Sequence, residues 1–164
     1  MEQRYEPTPA GMRALLADYV QDVQALVQKR SPWDGLLGTG MPLGREACHG
    51  AFSDAFTALV SAAAAQPVAA DDAAAMARQA LEAPLTQPEN GTVRLMLEAV
   101  QGELVPLVGL LTPARAAELC AWYRETYPRG TLLPSQHKLL DALTEKGRAD
   151  APGKKRARRF PFFP

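Results

Sequence analysis

Fourteen prolines are spread through 164 residues, and they fall at nearly every boundary between segments that carry a helical apolar stripe. Proline is accepted in the first turn of a helix and disrupts its interior, so this placement cuts the chain into helices of defined length. Thr8-Pro9 is a helix start. After it, Met12, Leu15, Leu16, Tyr19, Val20, Val23, Leu26 and Val27 recur in three- and four-residue steps, up to Pro32. A second helix is expected from about Pro42 to Ala65, with Cys48, Phe52, Ala55, Phe56, Leu59 and Ala63 inward. Asp71 or Asp72 is expected to cap a third, through Met76, Ala80 and Leu81 to Pro84.

The segment from Thr92 is the most apolar, with Val93, Met96, Leu97, Val100, Leu104, Leu107, Val108 and Leu111 in register across Pro106. One central helix kinked at proline, which would crowd the Gly102 carbonyl, fits this pattern. Thr112-Pro113 repeats the start of residues 8 and 9, and in both places a Leu follows seven residues after the Thr and a Tyr eleven after it. On this fifth helix Ala116, Leu119, Cys120 and Tyr123 form the inner stripe, while Trp122 projects with Arg115, Glu118 and Glu125. Pro134-Ser135 starts a sixth helix carrying Leu139, Leu140 and Leu143 inward, with Gly147 as its expected stop. The fold expected is all-α, a single-domain bundle of about six helices over residues 1–150. Residues 151–164 form a basic, Phe-rich C-terminal tail.

A formal net charge of zero conceals an asymmetry. All 18 acidic residues precede position 154 with 13 of the 18 basic ones, so that body carries about −5. Lys154, Lys155, Arg156, Arg158 and Arg159 supply the balance, and Phe160, Phe162 and Phe163 follow them. Two cysteines make no disulfide framework, and the first residues lack the pattern of a signal peptide. The most apolar window, residues 93–111, contains Arg94, Glu98, Gln101 and Glu103, so no membrane span is expected. A cytoplasmic setting follows as the expectation.

Residues 127–143 resemble one short part of the GntR-type winged-helix regulators, in which a helix leads into a Tyr-Pro-x-Gly-x-x-Leu-Pro-Ser turn and a further helix. Tyr127, Pro128, Gly130, Leu133, Pro134 and Ser135 carry the resemblance. It implies a helix–turn–helix pair with a Ser-capped second helix. After Gly147 there is no recognition helix and no wing, so operator reading is not implied.

Other chemistry has thin support. The Gly-rich segment 35–44, beside Trp33, follows a helix and lacks the Gly-Lys-Ser/Thr of a nucleotide loop, although its amides could approach an anion. Cys48, His49, Cys120 and His137 have the number but not the spacing of a zinc site. Glu46 and His49 match one Glu-x-x-His step of a di-iron bundle, and the second step is missing. Both cysteines are expected in the core, where a thiol is inert. The pairs Asp18/Asp22 and Glu118/Glu125 read as solvated faces.

No metal or cofactor is therefore expected. The function expected is non-catalytic: binding or regulation through a protein partner, using Trp122, Arg129 and the tail residues Lys154, Lys155, Arg156, Arg158, Arg159, Phe160, Phe162 and Phe163. A nucleic-acid-associated regulator using the basic tail for phosphate contacts is the alternative. An enzyme with an interhelical pocket near Cys48 or His137 is the weaker one.

Overall fold

The two Thr-Pro starts behave alike. The Thr8 hydroxyl accepts the Gly11 amide (3.1 Å) and the Thr112 hydroxyl accepts the Arg115 amide (3.2 Å), each satisfying a donor that a helix N-terminus leaves unpaired. They open α1 (Pro9–Gln28) and α6 (Pro113–Thr126). Between them lie α2 (Arg45–Ala65), α3 (Ala70–Glu82), α4 (Thr92–Ala99) and α5 (Val105–Leu110), and α7 (Pro134–Arg148) follows. The computed structural model describes residues 4–28 and 45–149, and every regular element among them is helical. The ends of the first two helices towards Pro32 and Pro42, the segment 35–44 and the tail lie outside the described residues.

The central segment is one helical path of three parts. α4 runs into a 3-10 stretch, Val100–Leu104, and that into α5, with Pro106 in the first turn of α5. Proline cannot give the Gly102 carbonyl its usual donor. The chain tightens so that the Val105 amide reaches that carbonyl instead. Counting this path as one unit gives six helical segments, as the proline spacing predicts. Leu97, Val100, Leu104, Leu107, Val108 and Leu111 are all buried, so this path is the middle of the core. On α1 the stripe holds through Val23, and Val27 is half exposed. On α2, Val60 joins the core while Cys48 is only partly buried.

The joint between α3, the central path, α6 and α7 is polar. Gln101 is fully buried, and its Oε1 accepts the Tyr123 hydroxyl (2.7 Å) and the Gln136 Nε2 (3.0 Å). Its Nε2 donates to the Tyr127 hydroxyl (3.3 Å), which in turn donates to the Leu81 carbonyl in the last turn of α3 (2.8 Å). Gln136 Oε1 accepts the Leu133 amide (2.8 Å), capping the start of α7. The Tyr123 and Tyr127 rings stack at 4.8 Å beside this chain of bonds.

Three local expectations are corrected by packing. Gly147 does not stop α7, which continues to Arg148. A Cβ there would lie 3.1 Å from the Ala117 Cα, so Gly147 lets α7 pass close against the backbone of α6. Ser135 lies inside the first turn of α7, and its hydroxyl donates to the Glu98 carbonyl (3.4 Å) rather than capping. Asp71 and Asp72 lie in the first turn of α3, whose cap position is Ala69. They act there on the positive end of the helix dipole.

Three measurements check this packing. Gly147→Ala is expected to destabilise the protein by about 1–3 kcal/mol, because the backbone of Ala117 cannot yield. Gly50→Ala meets nothing within 4 Å on α2 and is expected to stabilise by about 0.5–1 kcal/mol. Burial pushes the Tyr127 hydroxyl from 10.0 up to about 12. The folded state therefore keeps a proton that the unfolded chain releases near pH 10. Stability is whole below pH 10 and falls as pH rises from 10 to about 12, by about 2–3 kcal/mol for this group. Urea unfolding across that range gives the slope, and Tyr127→Phe should lower it. An unchanged slope would remove Tyr127 from the buried joint.

Candidate functional site

α3 and α6 lie side by side, and their outward edges frame a cavity of about 250 Å³. Its floor is Ala74, Ala75 and Leu119, and its rim is Asp71, Arg78, Arg115 and Glu118. Arg115 is shared between two carboxylates, Asp71 across the groove (3.2 Å) and Glu118 one turn along α6 (3.2 Å). Those hydrogen bonds and charges hold its guanidinium even more firmly in the charged form. Arg78 pairs with Glu82 one turn along α3.

Trp122 stands on this face, as its helical position predicts, but it does not project freely. It is partly buried, and the Arg78 guanidinium lies 3.8 Å from the centre of its ring. An indole under a guanidinium is held by cation–π attraction worth about 0.5–1 kcal/mol at an exposed site. The cover comes from α3. No local sequence signal announces this, because the stack depends on how α3 and α6 dock. Glu125, seven residues after Glu118, lies on the same exposed side of α6.

Of the other residues singled out by sequence, Arg129 opens a short 3-10 turn, Arg129–Thr131, between α6 and α7. Lys154, Lys155, Arg156, Arg158, Arg159, Phe160, Phe162 and Phe163 lie outside the described residues, as do Trp33 and the Gly-rich segment. The helix–turn–helix pair implied by the regulator resemblance is present as α6 and α7, joined by that 3-10 turn.

The candidate chemistry residues are dispersed. Cys48 and His49 lie on α2 facing α1, where the Tyr19 hydroxyl and His49 Nδ1 are 2.7 Å apart and Tyr19 stacks on Phe52. Burial, then the Arg45 charge, lowers the His49 pKa. Cys48 lines a cavity of about 230 Å³ with Tyr5, Asp18 and Asp22. Burial and the Asp22 charge push its thiol up, the reverse of what a nucleophilic thiolate requires. Cys120 faces α7, its sulfur 3.5 Å from the Thr144 hydroxyl, and His137 is exposed on α7. Among the described residues no three His, Cys, Asp or Glu side chains converge on a point that could hold a metal ion.

Sequence reasoning did not anticipate Gln101, Gln136 or Arg78. The first two read as ordinary polar positions until the docking of three helix ends encloses them. On the α3/α6 face an aromatic ring, an apolar floor and a charged rim meet. Comparison of the chain with protein-family profiles, with curated proteins and with solved structures finds no match.

Proposed function

We propose that the protein is a small non-catalytic binding or regulatory protein that engages a protein partner through the α3/α6 face around Trp122 and through its C-terminal tail. The observation that carries this reading is the Trp122 ring, set under Arg78 beside a cavity of about 250 Å³ with an apolar floor and a charged rim. Trp and Arg are among the residue types enriched at the energetic hot spots of protein interfaces. Its ring is already oriented, so little side-chain entropy remains to be lost on binding. The free thiols Cys48 and Cys120 support a reducing, cytoplasmic setting.

The five cations within residues 154–159 support a second reading, in which the tail contacts nucleic-acid phosphates. Five such contacts on duplex DNA give a logarithmic salt slope of about −4 to −5.

Recovery of partners from native-cell lysate by the full chain, with and without nuclease, tests the first reading against the second. Trp122→Ala and the charge reversal Glu118→Lys should each weaken capture of the same protein by about tenfold or more. Glu118 is exposed, so its reversal leaves the fold intact. Equal recovery by both variants would overturn the Trp122 face. Recovery that vanishes with nuclease and follows the steep salt slope would favour nucleic acid.

A further inference from the structure

We infer that the α3/α6 face is the docking site of the chain's own basic tail, residues 154–164, bound in cis. Three observations converge on this occupant. The first is charge. Asp71, Glu82, Glu118 and Glu125 stand on this face against Arg78 and Arg115, leaving carboxylates in excess by two. The tail places Lys154, Lys155, Arg156, Arg158 and Arg159 together in a chain whose preceding residues carry about −5. Asp71 and Glu118 are mostly exposed, so their outer oxygens remain open to further donors while they hold Arg115.

The second is where the described chain ends. A Cβ on Gly147 would lie 3.1 Å from the Ala117 Cα, so the last turn of α7 rests against α6 next to Glu118. Lys154 is five residues beyond Ala149, a span of up to about 17 Å. A helix with its side chains is about 10–12 Å across, so the first tail cations can pass over α6 and reach its α3 side. The surface crossed is low: Ala114, Ala117 and Ala121 are exposed and small.

The third is the shape of the receiving site. The floor of Ala74, Ala75 and Leu119 is apolar beneath the charged rim. That pattern matches a segment in which cations are followed immediately by Phe160, Phe162 and Phe163. Each ion pair at such an exposed site is weak, but a short tether raises the local concentration of the tail to the millimolar range, where weak pairs suffice. The site is the face that the proposed function assigns to a protein partner. The docking itself holds whether or not such a partner exists.

A carbodiimide, which joins a lysine amine to a neighbouring carboxylate as an amide, tests this on the full chain. Equal amounts of natural-abundance and nitrogen-15-labelled protein are mixed at low salt, and the joined peptides are identified by mass. The expected products link Lys154 or Lys155 to Asp71, Glu118 or Glu125, within copies of a single isotope content. Their yield should fall about fivefold or more at 1 M salt, where the Debye length shrinks to about 3 Å. The variant Asp71→Asn/Glu118→Gln changes only exposed groups and should show a comparable fall in tail-linked product at Glu125. Amides between copies of different mass would assign the tail to a second molecule and overturn docking in cis. Amides spread over distant carboxylates such as Asp18, insensitivity to salt, or no tail-linked amide would overturn the site.

Discussion

The carboxamide of Gln101 is the fixed point of this structure. It is fully enclosed, so each of its polar atoms needs a partner inside the protein, and the partners come from different elements. Tyr123 and Tyr127 bring the C-terminal end of α6, Gln136 brings the N-terminal end of α7, and Tyr127 passes the connection on to the Leu81 carbonyl of α3. Apolar contacts around this joint would tolerate sliding by a fraction of a turn. Hydrogen bonds with defined donors and acceptors do not, and a mismatch leaves a buried polar group unpaired at a cost of about 1–3 kcal/mol. The polar joint therefore selects one arrangement of helix ends from the several that the apolar stripes allow.

That selection reaches the surface. α6 leaves the joint with Tyr123 turned inward, so Trp122, one residue earlier, must lie on the side facing α3. Because α3 is held by its own last turn through Tyr127, Arg78 arrives over the Trp122 ring and Asp71 arrives beside Arg115. The close passage at Gly147 keeps α7 against α6 and fixes where the chain leaves the helical body. The aromatic face and its charged rim are thus consequences of one internal constraint, with the close passage at Gly147 holding the last turn of α7 beside them.

The helices were legible in the sequence because proline and apolar spacing are local. Thr8-Pro9 and Thr112-Pro113 act as their residue types require, and Leu15 and Leu119, Tyr19 and Tyr123 occupy matching buried positions. What was not legible depends on contacts between distant segments. Gln101 and Gln136 carry no mark distinguishing them from solvated glutamines such as Gln21. Gly147 has the form of a helix stop, with Lys146 before it, yet its role is set by Ala117, thirty positions earlier. Lys146 instead donates to the Gly109 carbonyl (2.9 Å), another contact that only the packing of α5 against α7 creates. Of the candidate face, Trp122 and its charged neighbours could be read from helical position, while Arg78 and Asp71 could not.

The claim that Gln101 sets this arrangement is tested most directly by the unfolding free energy of Gln101→Met, measured by urea denaturation at neutral pH. Methionine keeps the length and volume of the side chain while removing both polar functions. The account predicts a loss of about 2–4 kcal/mol, because the Tyr123 hydroxyl and the Gln136 amide lose their shared acceptor inside the core. A change within about 0.5 kcal/mol, the range of an ordinary surface substitution, would contradict it.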